Sequence, residues 1–280
     1  MRQLKSITEL KQALSAVRAD GKTIALVPTM GNLHQGHLSL VGIARQRADI
    51  VVASIFVNPT QFVAGEDFAN YPRTLLEDLD LLKAHGVDFV FTPDTEEMYT
   101  KGAETEVIVP SLDNIYCGAF RPGHFKGVAT IVCKLLNLVN PEIAVFGEKD
   151  YQQLLVIKRL VRDLSIPVEI LSGAIIREED GLAMSSRNRY LSKAEREQAA
   201  GLYRCLQKIA KALIEGNNNY KNLEQKGMDE LTENGFNPDY IGICDAETLT
   251  SPESNNLVII AAAWLGKARL IDNVAVHTYD

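Results

Sequence analysis

The sequence predicts an α/β fold: a parallel sheet domain wound with helices, followed by a smaller α+β domain with a short antiparallel sheet. Three observations carry this. Short apolar runs alternate with helical patterns over the first part of the chain, the order that builds parallel crossovers. That alternation stops near Ile176, where helices and then three closely spaced extended runs follow. The chain has 280 residues, more than a typical single domain, so residues 1–176 and 177–280 are expected to fold as separate units.

Taken in order, residues 4–19 read as a helix, with Leu4, Ile7, Leu10, Leu14 and Val17 near helical spacing. Thr23-Ile24-Ala25-Leu26-Val27 is a buried strand, and residues 38–48 return to helical period. A second apolar run, residues 50–57, ends in Asn58-Pro59-Thr60-Gln61-Phe62. Asn58-Pro59 is turn chemistry, which leaves Gln61 as the better ligand residue. Tyr71-Pro72-Arg73-Thr74 introduces a helix to His85, stopped by Gly86. Its acidic run, Glu77, Asp78 and Asp80, reads as a solvated face, with a magnesium contact at Asp78 as the alternative. Residues 87–91 are a third strand, and residues 106–110 a further extended piece.

Residues 117–127 form a loop dense in glycine, proline and aromatics, in which Arg121 and His124 add local positive charge. A helix is expected over 128–139 and a strand over 143–146. The latter ends in Gly147-Glu148-Lys149-Asp150, where a helix to Leu164 begins and places Gln153 one turn in. Residues 168–171 close the first sheet, a Rossmann-like arrangement. After Arg177 comes a polar segment, Leu182-Ala183-Met184-Ser185-Ser186-Arg187-Asn188-Arg189. Ser192-Lys193-Ala194-Glu195 is a capping box opening a long helix to about Ile214. A helix over 220–233 and strands over 239–244, 257–264 and 268–276 complete the chain.

Composition narrows the function. Hydrophobic residues make up 46% and charged residues 23%, the balance of a soluble globular protein. A net charge of −7 and a pI of about 5.4 argue against a nucleic-acid or anionic-membrane partner. An anionic ligand must then be met by a local cluster of cations. No apolar run approaches the roughly 20 residues of a membrane span, and Arg2, Lys5, Glu9 and Lys11 interrupt any signal-peptide core. Cys117, Cys133, Cys205 and Cys244 have no metal or redox spacing and read as reduced thiols of a cytoplasmic protein. No metal site is expected from the protein's own side chains.

The chemistry concentrates in Pro28-Thr29-Met30-Gly31-Asn32-Leu33-His34-Gln35-Gly36-His37, a strand-turn-helix. Helix N-termini suit phosphate, Gly31 and Gly36 allow close backbone approach, and His34 and His37 share one helical face. Two surface histidines would be the plain reading. The strand before them, the glycines and the helix after them favour a nucleotide site. Loops at the carboxyl ends of parallel strands meet along one edge, which by position gathers residues 30–37, 58–61 and 147–153. The segment 184–187 lies between the expected domains, able to cover that edge. This inventory of histidines, cations and glutamines holds no Ser-His-acid triad or nucleophilic cysteine context. It suits positioning and charge stabilisation at an ATP phosphate.

These stretches resemble the pantoate–β-alanine ligase family, within the nucleotidyltransferases that share a His-x-Gly-His signature and relate to class I aminoacyl-tRNA synthetases. The likeness covers residues 27–37, 56–62, 117–127, 146–153 and 181–191, and weakens past Gly216. Met184-Ser185-Ser186-Arg187 stands where tRNA-charging relatives carry Lys-Met-Ser-Lys-Ser, which favours the small ligase. The resemblance implies ATP-dependent joining of (R)-pantoate to β-alanine through a pantoyl adenylate, with Mg²⁺ entering with ATP, no tightly bound organic cofactor, and a homodimer. It implies that Met30, Gly31, Asn32, Leu33, His34, Gln35, Gly36 and His37 line the nucleotide, with His37 at the proton-donor position. Gly147, Glu148, Lys149 and Asp150 would hold ribose and phosphate, Ile176 adenine, and Met184, Ser185, Ser186 and Arg187 the triphosphate. Gln61 and Gln153 would bind pantoate, Gln61 also lying near β-alanine. His37, His34, Lys149 and Arg187 would carry the catalysis. The other readings are a different small adenylyltransferase, which shares the first motif, and a non-catalytic nucleotide-binding regulator, which has no need of transition-state cations.

Overall fold

A computed structural model describes residues 1–277. Two compact units emerge: residues 1–148 with 156–174, and residues 149–155 with 175–280. A single cut at 176 places residues 149–155 with the first sheet, whereas they group with the second unit.

The first unit is a six-stranded, all-parallel sheet: β1 (Arg2–Leu4), β2 (Ile24–Thr29), β3 (Ile50–Ile55), β4 (Phe89–Phe91), β5 (Ile143–Gly147) and β6 (Glu169–Gly173). Their order is β1-β4-β3-β2-β5-β6. Ile24, Ala25, Leu26 and Val27 are fully buried, as expected of a central strand covered on both faces. Ala25 and Val27 pack with Leu38, Val41 and Ala44 of the helix Gln35–Arg47. The helix His124–Val139 also packs against β2. The chain leaves β2 toward β3 on one side and later returns to lay β5 on the other. The strand order therefore reverses between β2 and β5, which pair through Ala25↔Ile143 and Leu26↔Ala144. In open parallel sheets such a reversal opens a crevice at the strands' carboxyl ends. Residues 30–34 leave β2 at that end.

Three local readings change. β1 precedes the first helix, which begins only at Ile7, where Ser6 and Glu9 form a capping box. Residues 106–110 form no strand; the Val107 N–H donates to Thr130 Oγ1, and a short helix, Pro110–Asp113, follows. Residues 117–127 are not one open loop. They hold the end of a short helix, Tyr116–Phe120, and the first turn of the helix His124–Val139.

The second unit contains the antiparallel sheet β7 (Asn237–Asp245), β8 (Asn256–Leu265) and β9 (Ala268–His277), in that order. The Ser192–Glu195 capping box opens the helix Lys193–Ala199, and the expected long helix resumes as Gly201–Ile214 after a break at Ala200. Tyr220–Glu233 follows. Leu202, Leu206, Ile209 and Leu213 of one helix and Leu223 and Leu231 of the next share a core with Leu257, Ile259 and Ala261 of β8. Among the described residues no helix is long and apolar enough to cross a membrane.

Candidate active site

The turn after β2 is built around a buried carboxylate. Asp78 is 1% exposed. Its Oδ2 accepts from the Asn32 N–H at 2.9 Å and from Thr74 Oγ1 at 3.2 Å, and its Oδ1 accepts from the Leu33 N–H at 2.8 Å. A charge taken out of water needs such partners, and here they are backbone donors of the signature turn. Gly31 lies at φ +80°, and a Cβ there would sit 2.9 Å from Asp78 Oδ2, so the turn and the carboxylate fit only around glycine. Asp78 is thus no part of a solvated face, and both its oxygens are committed to the turn rather than turned to a metal. The sequence carried a signal for this: Asp78 lies one helical turn before the fully buried Leu82, on the same face.

The histidines come next. His34 is the N-cap of the helix Gln35–Arg47. Its Nδ1 accepts from the Gly36 N–H at 3.1 Å, and His37 Nδ1 accepts from the His34 N–H at 3.3 Å. The rings lie 4.1 Å apart, tilted by 44°. A backbone N–H can only donate, so both Nδ1 atoms are acceptors, and each neutral ring carries its hydrogen on Nε2. The Asn32, Leu33, His34 and Gly36 amides are therefore spent inside the turn. These four amides are thus not the ring of free backbone donors expected of a helix start.

Gln61 adjoins this turn, its Nε2 lying 2.9 Å from Met30 Sδ. It ends a short 3₁₀ turn, Pro59–Gln61, capped by Asn58. Asn58 is 1% exposed and does more than make a turn. Its Oδ1 accepts from Thr60 Oγ1 at 3.0 Å and from Tyr99 Oη at 2.8 Å. Its Nδ2 donates to the Gly127 carbonyl at 3.2 Å and to Gln61 Oε1 at 3.1 Å. A carbonyl can only accept, so the orientation of both amides is fixed. Gln61 Oε1 is thus engaged by Asn58, and one Nε2 hydrogen donates to Met30 Sδ. Gly127 has no room for a side chain: a Cβ would lie 2.2 Å from the Thr60 carbonyl oxygen.

Arg121 and His124 do not serve as loose positive charge. Arg121 pairs with Glu66, its Nη2 reaching Oε2 at 2.8 Å, and its Nη1 lies 2.9 Å from His124 Nε2. His124 is 7% exposed, and its Nδ1 lies 2.7 Å from the Gln61 carbonyl. Arginine only donates and a carbonyl only accepts, so His124 carries its hydrogen on Nδ1, the tautomer opposite to that of the paired histidines. The relay Glu66–Arg121–His124 holds the Gln61 backbone. Tyr99 was not legible as a contributor, because its partner Asn58 lies 41 residues away.

In the second unit, Lys149 sits in the 3₁₀ turn Glu148–Asp150 and is partly buried. Gln153 follows on the helix Tyr151–Asp163, also partly buried, beside the 5%-exposed Gln152. Ile176 and Met184 are joined, the Met184 N–H donating to the Ile176 carbonyl at 2.9 Å. An isolated bridge pairs Arg177 with Ala183. Ser185 caps the 3₁₀ turn Ser186–Tyr190, its Oγ accepting from the Arg187 N–H at 3.3 Å. The residues proposed for adenine and triphosphate are thus consecutive parts of one closed loop. Among the described residues no group of three or more His, Cys, Asp or Glu side chains converges as a metal site.

Comparison with known proteins decides between the readings. The family model described as pantoate-beta-alanine ligase matches residues 2–275. The chain belongs to the pantoate–β-alanine ligase family. The pantothenate synthetase of Marinobacter nauticus is 52% identical over 280 residues, covering 99% of both chains, and that of Idiomarina loihiensis is 54% identical, covering 99% and 98%. The Thermus thermophilus pantothenate synthetase structure superposes with a TM-score of 0.91 at 46% identity, covering 98% of this chain and 99% of its own. A pantoate-β-alanine ligase from Francisella tularensis, solved complexed with β,γ-ATP and β-alanine, gives a TM-score of 0.83 at 34% identity, covering 98% and 97%. This chain is accordingly a ligase of pantothenate biosynthesis. The match runs to residue 275, well past Gly216, so the antiparallel sheet up to that residue belongs to the family pattern. A different adenylyltransferase and a non-catalytic regulator are set aside.

Proposed function

We propose that the chain joins (R)-pantoate to β-alanine in two steps, using ATP supplied with Mg²⁺ as substrate. A pantoate carboxylate oxygen attacks the α-phosphorus of ATP, the bond to the β-phosphate oxygen breaks, and pyrophosphate leaves. The neutral amine of β-alanine then attacks the acyl carbon of the pantoyl adenylate. The amine loses a proton, the acyl–oxygen bond breaks, and AMP and pantothenate form. The observation that carries this reading is the paired His34 and His37, each accepting a backbone N–H through Nδ1 and so carrying its hydrogen on Nε2. Such donors meet negative charge developing on phosphate oxygens without reorganisation. His37 at the proton-donor position serves in this way as a neutral hydrogen-bond donor.

Lys149 and Arg187 supply the cations for the departing pyrophosphate, with Ser185 and Ser186 as hydroxyl partners. Gly147, Glu148 and Asp150 serve the ribose and phosphates, and Ile176 the adenine. Gln61 donates to an acid oxygen through Nε2, and Gln153 is the second pantoate contact. We place the enzyme in the cytoplasm as a homodimer, for which light scattering at micromolar protein gives a direct check.

ATP–pyrophosphate exchange tests the order of steps. Pantoate alone supports exchange if an adenylate forms, with β-alanine dispensable. Exchange that strictly requires β-alanine overturns the adenylate route.

A further inference from the structure

Two adjacent residues of β9, Asp272 and Asn273, are polar yet 4% and 6% exposed. Neither belongs to the residues proposed above to meet substrate. Asp272 receives the Arg177 guanidinium in a two-toothed pair, Nη1 to Oδ2 at 2.6 Å and Nη2 to Oδ1 at 2.9 Å. Its Oδ1 also accepts from the Asn273 N–H at 2.8 Å. Arg177 Nη1 also reaches the loop's Gly181 carbonyl at 3.1 Å, and Nη2 the β9 carbonyl of Asn273 at 3.4 Å. The guanidinium stacks on Tyr203, 3.6 Å from the ring centre. A Cβ at Gly181, where φ is +95°, would lie 2.8 Å from that same ring. Arg177 thus closes the loop that carries Met184 to Arg187, and Asp272 fixes Arg177. The 3₁₀ turn Ser186–Tyr190 packs against β9 as well. Asn273 reaches the other cationic piece, its Nδ2 donating to the Lys149 carbonyl at 3.1 Å.

We propose that Asp272 and Asn273 are positioning residues for adenylation. One strand of the antiparallel sheet sets Lys149 through its backbone and Arg187 through the Arg177-closed loop, so that both cations keep a common reference. A buried carboxylate on a sheet strand is costly unless paired. Bidentate pairing with a stacked guanidinium fixes angle as well as distance, which a purely packing role would not need. The inference rests on the proposed roles of Lys149 and Arg187, and it assigns the antiparallel sheet a part in the chemistry.

A double-mutant cycle on pyrophosphate exchange tests it. Asn273→Ala leaves the thermal midpoint within a few degrees of the parent and lowers the exchange kcat by about 10- to 100-fold, the range that an ångström-scale misplacement of a catalytic group produces. In a Lys149→Ala background the same substitution changes exchange by less than about twofold, because the group it positions is gone. Full additivity of the two losses, or an Asn273→Ala protein with parental exchange, overturns the proposal alone. Parental exchange by Lys149→Ala overturns the role of Lys149 and this proposal with it. If Asn273→Ala does not fold, Asp272→Asn keeps the side chain's shape and repeats the cycle against Arg187→Ala. Non-additive losses that fall on kcat support the proposal, and additive losses or an unchanged kcat contradict it.

Discussion

Residues 30–37 of the first unit and residues 184–187 of the second are both assigned to the nucleotide, yet they are held in different ways. The first turn is saturated from within. Its Asn32, Leu33, His34 and Gly36 amides go to Asp78 and to the two imidazoles, and its neighbour Gln61 is locked by Asn58 and His124. The second is closed at its base, by Arg177, the Met184–Ile176 bond and the Arg177–Ala183 bridge, while at its tip Ser185 caps Arg187. A saturated turn presents donors of fixed direction, suited to reading an acid and an α-phosphate. A loop hinged at its base can move as one piece and deliver charge. Under the proposed roles, selection falls to the first unit and charge delivery to the second.

The largest effect is expected from the charge-delivering side. Lys149→Ala should lower pyrophosphate exchange by about 10²–10³, the usual loss when one transition-state stabilising group is removed. Its thermal midpoint should barely move, because Lys149 is only partly buried in a 3₁₀ turn. Exchange kinetics beside a melting curve separates the two effects.

The saturated turn should respond in the opposite sense, through stability. Asp78→Asn keeps the shape but sets an amide N–H₂ against a backbone N–H that now has no acceptor. A buried donor left unpaired costs about 1–3 kcal/mol. Denaturant unfolding should show that loss, together with a fall in exchange as the histidine turn loosens. Unchanged stability would mean that Asp78 does not organise the turn.

These contrasts mark what the sequence could and could not disclose. β2, β3 and β5 were legible because each is a run of apolar residues buried on both faces. β1 was not, since Arg2-Gln3-Leu4 holds one apolar residue and becomes a strand only by pairing with β4. The family was readable because the stretches around His34, His37, Lys149 and residues 184–187 are local motifs. The wiring was not readable: Asp78 meets amides 45 and 46 residues away, Arg121 meets Glu66 across 55 residues, and Asn273 meets Lys149 across 124. Side chains in acidic runs and glycine-rich loops look like solvent-facing charge until the chain closes on them.

A hinged loop should also reveal itself to protease. Trypsin should cut at Arg187 or Arg189 in the ligand-free enzyme, and ATP with Mg²⁺ should suppress the cut. Equal cleavage with and without nucleotide would make the loop as fixed as its counterpart and erase the contrast.

A smaller, more selective effect should follow at Gln61. Its Oε1 is engaged by Asn58 and one Nε2 hydrogen by Met30 Sδ, so under the proposed role the second Nε2 hydrogen reads an acceptor oxygen of the acid. Gln61→Leu should weaken use of pantoate and narrow the preference for pantoate over a deoxy analogue, since an unmet amide no longer penalises the analogue. The ratio of kcat/KM for the two acids measures this. A ratio unchanged by Gln61→Leu would move acid selection elsewhere.

The central claim is that the histidine turn is wired before any substrate arrives, and nitrogen NMR of the imidazoles in the ligand-free enzyme tests it most directly. His34 and His37 should each show an unprotonated Nδ1 and a protonated Nε2 near neutral pH. His124, whose Nδ1 faces the Gln61 carbonyl and whose Nε2 faces Arg121, should show the reverse and so serve as an internal standard. A protonated Nδ1 on His34 or His37 would contradict the account, because the amides of Gly36 and His34 would then have no acceptor and the turn would not hold its donors ready.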